Sequence, residues 1–235
     1  MKIVQLYPKD MNIYGDWGNV LALSRRAQKH GITTEIVDYN PGDVFPEDAD
    51  VLIGGGGQDS GQGVIQEDLH AIAPTLRQMA EDGMPMLVIC GLYQLFGHRF
   101  TTAEGQVLEG IGIFDLETVG GAKRLIGNIV TESEEFGLIV GYENHSGLTT
   151  LGPQTRPLGH VLTGEGNNRE TDDEGARCHH VIGSYLHGSL LPKNPRITDF
   201  LIRCAAERKH GFFTPAPIDD ALVERAREVA LSRPR

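Results

Sequence analysis

The chain has 235 residues, and its 21 Lys and Arg against 32 Asp and Glu give a formal net charge of −11 at pH 7. This length is enough for one large domain, or at most two small ones, with a substantial core. The acidic balance argues against nucleic acid or an anionic membrane as the principal partner, because both repel a negative surface. A small polar substrate or a protein partner fits the composition better.

The sequence predicts a cytoplasmic protein without a disulfide framework. No apolar run is long enough to span a membrane, which takes about 18 residues, and the opening "MKIVQLYPKDMN" has too short an apolar core for a secretory signal. The three cysteines, Cys90, Cys178 and Cys204, show neither CxxC nor Cys/His ligand spacing. We therefore predict no metal site, and each thiol needs its own explanation.

Strand and helix patterns alternate through residues 1–90. The apolar runs typical of strands are "KIVQLY", "TTEIVDY", "DADVLIGGGG" and "MPMLVIC". Helical periodicity separates them in "NVLALSRRAQKHG", where Asn19 stands at the N-cap position, and again through Ile65, Leu69, Ile72, Leu76 and Met79. The alternation predicts an α/β fold with a doubly wound, mostly parallel sheet and flanking helices. Ligand sites in such folds lie at the carboxyl ends of strands, where Cys90 and the four glycines fall.

The second half of the chain has a different pattern. Residues 106–190 contain short apolar pieces divided by glycines, which we interpret as strands and hairpins continuing the sheet. Two helical stripes close the chain, and "TPAPIDD" is the linker-like stretch between them. The stripes consist of Ile197, Phe200, Leu201, Cys204 and Ala205, and of Leu222, Ala226, Val229 and Ala230.

The cysteine that ends "MPMLVIC" lies at a predicted strand-to-helix turn. Such a turn exposes the sulfur beside backbone N–H groups at the positive end of a helix. Both effects favour the thiolate, which is the nucleophilic form. The apolar run taken alone fits a buried core cysteine equally well, as Cys204 illustrates in its helical stripe. Cys178, in the polar segment "GARCHH", is interpreted as incidental.

A nucleophilic thiol needs a base that is distant in sequence and close in space. Among the nine histidines, His187 ends the last strand-like run and therefore shares the functional edge of the sheet with Cys90. His145, in "GYENHSG", is a second candidate in a polar loop. His179 and His180 precede the last strand and are expected at its opposite end.

The segment "GGGGQDSGQG" has two interpretations. It fits a flexible turn, because glycine adopts positive φ at little cost. It also fits an oxyanion hole, because glycines let backbone N–H groups approach a substrate carbonyl closely. A phosphate-binding loop is disfavoured, because the GxxxxGK[ST] pattern and its lysine are missing. Together with a cysteine and a histidine, these parts indicate acyl transfer.

These residues resemble the class I glutamine amidotransferases of the cobyric-acid-synthase type. The elbow of that family reads approximately GxCGGYQ, and "VICGLYQ" keeps Cys90, Gly91, Tyr93 and Gln94 but has Val88 and Leu92 where glycines are common. The segments "IGGGGQD", "GYENHSG" and "SYLHGS" follow in the order of the family. The resemblance implies a flavodoxin-like amidotransferase domain over residues 1–200, with residues 201–235 as a C-terminal helical extension packed on the same domain.

The resemblance also implies the roles of individual residues. Cys90 would attack the side-chain amide of glutamine, and His187 would take and return protons. Gly55 and Gly56, together with Gly91, would hold the oxyanion. Substrate binding would fall to Arg124, which would pair with the α-carboxylate of glutamine, and to Gln94. Without the resemblance, a surface position would be the better interpretation of Arg124.

Within the family, "NIYGDWGN" and "KRLIGNIV" are similar to the amidotransferase subunits of lipid II isoglutaminyl synthases. Those subunits form a heterodimer with a separate Mur-ligase-like subunit, MurT, which implies that ATP and magnesium are used by the partner and that this chain needs no cofactor. The implied function is supply of ammonia for amidation of the D-glutamate of lipid II. Three alternatives stay open: a cobyrinic-acid-like acceptor, a non-catalytic regulatory protein, and a DJ-1/PfpI-like protein.

One departure concerns the residue that orients the histidine. Many class I amidotransferases have a glutamate two residues after the histidine, whereas this chain has Ser189. The cobyric-type branch resembles this chain in lacking that glutamate. Either a Cys-His dyad suffices, or the partner subunit supplies an acidic residue.

Overall fold

The computed structural model describes residues 1–187 and 189–234. The four strands predicted in the first half lie side by side in its central sheet: β1 (Lys2–Leu6), β2 (Glu35–Tyr39), β3 (Val51–Gly54) and β4 (Met86–Ile89). The later strands β11 (Ala176–Cys178) and β12 (Val181–Ser184) complete the six-stranded order β11-β12-β4-β3-β1-β2. Every pairing is parallel except that of β11 with β12. The predicted α/β fold with a mostly parallel sheet is confirmed.

Helices cover this sheet and bury its apolar faces, which hold the core. Those in the described residues are α1 (Trp17–Lys29), α2 (Asp59–Glu81), α3 (Gly91–Leu95), α4 (Leu190–Lys193), α5 (Pro195–His210) and α6 (Ala221–Leu231). The connection through α1 runs from β1 to its neighbour β2 at one edge of the sheet. The connection through α2 runs from β3 to its neighbour β4, in the opposite direction across the sheet. Because such crossovers are right-handed, α1 and α2 cover opposite faces. The switch point therefore lies between β1 and β3, where ligand sites are expected.

Most of the strands between residues 99 and 187 form a second sheet, so the expectation that they continue the first one is wrong for them. Its members are β5 (Arg99–Thr101), β6 (Val107–Glu109), β7 (Leu116–Ser133), β8 (Gly137–Leu151), β9 (Gly159–Thr163), β10 (Asp173–Glu174) and β13 (Leu186–His187). The pairing is antiparallel except between β5 and β7. Alternating burial along β7 and β8 gives this sheet one face toward the core and one toward solvent.

The C-terminal helices are tied back to α1. Arg26 of α1 makes ion pairs with Asp199 of α5 and with Asp220, which caps α6. Residue 200, at the predicted boundary of the C-terminal extension, lies inside α5, whereas α6 has no fully buried residue. Over residues 1–187 and 189–234, no helix has the length and apolar character needed to cross a bilayer.

Candidate active site

Cys90 occupies a sharp corner between β4 and α3. Its backbone has φ 52° and ψ −104°, a conformation that is strained for a residue with a Cβ atom. The corner is held because the Cys90 N–H donates to the carbonyl of Ser184 at 2.9 Å, one residue beyond the β4–β12 ladder. The thiol is mostly buried but lines an open cavity. The turn predicted from "MPMLVIC" is thus a strained elbow that aims one sulfur at a cavity.

The fold brings His187 to this elbow along the neighbouring strand. β12 lies parallel to β4 with Ser184 opposite Ile89, so the chain leaves both strands at the same edge of the sheet. A Cβ atom built on Gly56 would lie 2.8 Å from His187 Cε1 and 3.0 Å from Cys90 Cβ. Both side chains therefore meet at Gly56, and only glycine leaves room for them.

The imidazole of His187 also has an acidic partner from this chain. His187 Nδ1 lies 3.2 Å from Asp16 Oδ1, and both side chains are almost completely buried. The second oxygen, Asp16 Oδ2, accepts the Gly56 N–H at 2.7 Å. Burial alone would lower the pKa of His187, but the negative charge of Cys90 and the hydrogen-bonded Asp16 carboxylate outweigh it and raise that pKa to about 10. The arrangement therefore stabilises the protonated imidazole of His187.

The cavity in front of Cys90 has a volume of about 410 Å³. Arg124 lines it and is held in place by Asn144, because Nε donates to Asn144 Oδ1 at 3.0 Å and Nη2 to the Asn144 carbonyl at 3.2 Å. Nη2 also donates to Tyr14 Oη at 3.0 Å. A guanidinium fixed on one side leaves further N–H groups for an anion. The cavity thus combines the thiol of Cys90 with a fixed positive charge.

Comparison with known proteins agrees with this geometry. The family described as CobB/CobQ-like glutamine amidotransferase domain matches residues 2–195. The chain belongs to this family. It is 44% identical to the lipid II isoglutaminyl synthase (glutamine-hydrolyzing) subunit GatD of Staphylococcus aureus over 225 residues, which cover 95% of this chain and 91% of that protein.

Two further comparisons agree with this assignment. The GatD subunit of Streptococcus pneumoniae is 38% identical over 216 residues, which cover 90% of this chain and 82% of that protein. The structure of PurLQS from Thermotoga maritima aligns with a TM-score of 0.60 at 13% identity, covering 86% of this chain and 97% of that one. This second similarity supports the fold alone, and the family membership makes the chain a glutamine amidotransferase enzyme subunit.

In this amidotransferase, Gln94 lines the same cavity as Cys90 and Arg124. Its amide is held from both sides, because Gln62 Nε2 donates to Gln94 Oε1 at 2.9 Å and Gln94 Nε2 donates to Tyr185 Oη at 3.1 Å. Gln94 is therefore a rigid part of the cavity wall. Its role in binding substrate remains a prediction.

The glycine run is arranged differently from the predicted oxyanion hole. The Gly56 N–H is occupied by Asp16, so it is not available for an oxyanion in this structure. Gly55 has a steric role, since a Cβ atom there would lie 2.3 Å from the Met11 carbonyl oxygen. A Cβ atom on Gly91 would lie 3.1 Å from Gly57 N, which places the Gly57 amide beside the elbow. The Gly57 N–H thus lies beside Gly91, the residue that follows Cys90.

His145, the second histidine candidate, is a buried structural group. Its ring stacks on Tyr185 with centroids 3.6 Å apart, and its Nδ1 lies 2.8 Å from the Gly147 carbonyl oxygen. Burial, with the positive charges of His187 and Arg124, lowers the pKa of His145 to about 3. It lines the cavity but stays neutral, so it is unsuited to exchange protons with Cys90 at neutral pH.

Asp16 and Tyr14 are site residues that the sequence did not single out. Both lie in "NIYGDWGN", in the loop between β1 and α1, on the carboxyl side of the sheet. The available signal in the sequence was the carboxylate of Asp16, which stands directly before a helix in a loop at the functional edge of the sheet. Asp16 is a third candidate beside the expected bare dyad and the acid from a partner subunit, because it contacts His187 Nδ1 within this chain. Among the described residues, no group of three His, Cys, Asp or Glu side chains could hold a metal ion.

Proposed function

We propose that this chain hydrolyses L-glutamine through a thioester on Cys90 and passes the ammonia to a MurT-like ligase subunit. The observation that carries the proposal is one cavity lined by Cys90 and Arg124, with His187 and Asp16 behind the thiol. A nucleophile, a base and an orienting carboxylate form the arrangement that acyl transfer requires. Membership of the amidotransferase family supports glutamine as the acyl donor.

In the first half of the reaction, His187 holds the proton of the Cys90 thiol and the sulfur attacks the δ-carbon of glutamine. The carbonyl oxygen becomes an oxyanion, to which the Gly57 and Gly91 N–H groups would donate. When the C–N bond breaks, His187 gives its proton to the nitrogen, which leaves as ammonia. The enzyme then carries a γ-glutamyl thioester on Cys90.

In the second half, His187 removes a proton from water and the resulting hydroxide attacks the thioester carbon. The C–S bond breaks and the thiolate leaves, so glutamate is released with the proton balance restored. Asp16 keeps the proton-exchanging nitrogen of His187, Nε2, toward the sulfur by accepting from Nδ1–H. The buried ion pair between Cys90 and His187 is regenerated.

The charged groups of the cavity match an amino acid zwitterion. Arg124 would pair with the α-carboxylate of glutamine, in a charge-assisted contact. Asp59 and Glu104 also line the cavity and would meet the α-ammonium group. Burial and the like charge of Glu104 raise the pKa of Asp59, an effect that a bound ammonium would reverse.

The names of the relatives support lipid II as the acceptor of the ammonia. Two GatD subunits are described as parts of a lipid II isoglutaminyl synthase, and each aligns over most of its length with this chain. We therefore propose that the ammonia amidates the D-glutamate of lipid II on the cytoplasmic side of the membrane. Activation of that carboxyl group with ATP and magnesium would belong to the partner in a heterodimer.

The test is reconstitution with the partner ligase. The complex should amidate lipid II with ATP and either glutamine or ammonium as the nitrogen source. Cys90→Ala should abolish the glutamine-dependent reaction and keep the ammonium-dependent one, whereas Cys204→Ala, at a buried helical cysteine, should keep both. Amidation of a cobyrinic acid in place of lipid II would overturn the acceptor, and glutamine use by Cys90→Ala would overturn the mechanism.

A further inference from the structure

Tyr14 contacts two charged side chains of the site, Arg124 and His187. Its hydroxyl oxygen accepts a hydrogen bond from Arg124 Nη2 at 3.0 Å. Its ring meets the imidazole of His187 edge-on, with centroids 4.5 Å apart and planes inclined by 61°. Tyr14 also lines the cavity that contains the Cys90 thiol. One side chain therefore contacts both the expected carboxylate-binding group and the expected base.

The loop that carries Tyr14 is fixed on both sides of it. The Ile13 N–H donates to the Gly56 carbonyl at 3.1 Å, and the Trp17 N–H donates to Asn12 Oδ1 at 2.9 Å. Asp16, two residues after Tyr14, is hydrogen-bonded to Gly56 and His187. The phenol is thus positioned by the same contacts that assemble the thiol, the base and its carboxylate.

The direction of the hydrogen bond determines what Tyr14 can offer a ligand. A guanidinium only donates, so Tyr14 Oη is the acceptor and its own hydrogen is left to donate. Among the hydrogen bonds of the described residues, Tyr14 Oη takes part only in that with Arg124. A carboxylate beside Arg124 could accept from the guanidinium and from the phenol together.

We propose that Tyr14 is a substrate-binding residue that donates its O–H to the α-carboxylate of glutamine beside Arg124. The inference rests on the proposed glutamine hydrolysis and adds a second donor to the carboxylate subsite. The ring has a second contact, because it packs edge-on against the imidazole of His187. Tyr14 then binds the α-carboxylate of glutamine through its hydroxyl group and contacts His187, the expected base, through its ring.

The test compares Tyr14→Phe with wild type in the assembled enzyme. Loss of one hydrogen bond to a charged group should raise KM for L-glutamine about 10- to 100-fold, with kcat within about threefold. The second measurement is the rate at which iodoacetamide, which has no carboxylate, alkylates Cys90. That rate should stay within about twofold in Tyr14→Phe and rise in Tyr14→Ala, which also removes the ring over His187.

Tyr142→Phe is the matched control, because Tyr142 is an exposed tyrosine that does not line the cavity. It should leave KM and the alkylation rate unchanged. An unchanged or lower KM in Tyr14→Phe would overturn the inference, and a lower one would show that the phenol competes with the substrate for Arg124. Failure of the wild-type complex to hydrolyse glutamine would instead overturn the proposed function.

Discussion

Asp16→Asn offers the sharpest test of the site, because the structure gives the carboxylate two different partners. The Gly56 N–H needs an acceptor at 2.7 Å, and the oxygen of an asparagine can fill that position. The NH₂ group would then face His187 Nδ1, which in wild type lies 3.2 Å from a carboxylate oxygen. A donor there forces the proton onto His187 Nε2, the tautomer that cannot accept from Cys90.

The expected magnitude follows from the distance. Two unit charges 3.2 Å apart interact by about 5 kcal/mol at an effective dielectric constant of about 20. Because the chain relaxes and water partly compensates, we expect a loss of about 4 kcal/mol, or about 10³-fold in kcat for glutamine hydrolysis. KM should change little, because Arg124 does not contact Asp16. The pKa of His187 should fall from about 10, since the carboxylate is one of the groups that raise it.

The assay is steady-state glutamine hydrolysis by the complex across a range of pH, with ammonium-dependent amidation as the measure of intact assembly. Asp10→Asn is the matched control, since Asp10 lies in the same loop and makes no ion pair among the described residues. Ammonium-dependent activity should be unchanged in both variants. If Asp16→Asn keeps more than about a tenth of the wild-type kcat, Asp16 does not orient the base and the reasoning is refuted.

Three more predictions follow from the same structure. Gly56→Ala should remove glutamine hydrolysis but leave the circular dichroism spectrum intact, because its Cβ would enter the space between His187 and Cys90; an active variant would contradict the packing. Arg124→Ala should raise KM for glutamine about 100-fold or more with a smaller effect on kcat, measured by initial rates, and an unchanged KM would exclude the carboxylate contact. Burial raises the pKa of Glu174 from 4.5 to about 8, so ionising this side chain opposes folding. The free energy of unfolding of the wild type should therefore fall between pH 4.5 and 8, by up to about 5 kcal/mol. Glu174→Gln should lose less over the same pH range, as measured by urea titrations.

The elbow and the base could be predicted because each lies at the end of a strand. An apolar run that stops at Cys90 and one that stops near His187 both lead to the carboxyl edge of a parallel sheet, and the pairing of β4 with β12 makes these edges coincide. Arg124 was harder to predict as a site residue. It lies beside a register shift in β7, where the alternation of apolar and polar residues does not show which way a side chain points. Only the family resemblance distinguished it from a surface arginine.

The rest depended on contacts that no local pattern encodes. Asp16 lies in an irregular loop, and it reaches His187 across 171 positions of the sequence. Which glycine amide faces the thiol depends on where the Asp16 carboxylate binds, so the run of glycines could indicate an oxyanion hole without showing which N–H groups form it. The second sheet was missed for a related reason: alternation predicts strands but does not show which strands pair.

The ion pairs of Arg26 connect the site to the far end of the chain. α1 begins directly after Asp16 and carries Arg26 in its last turn, so one helix of 13 residues, about 20 Å long, joins the carboxylate to the C-terminal helices. The position of Asp16 thus depends on residues that lie more than 180 positions further along the sequence. A chain that lacks Asp199 and Asp220 would contain Cys90 and His187 but would lose the ion pairs that hold α1 in place. The ion pairs of Arg26 with Asp199 and Asp220 thus make the position of Asp16 sensitive to changes in the C-terminal helices.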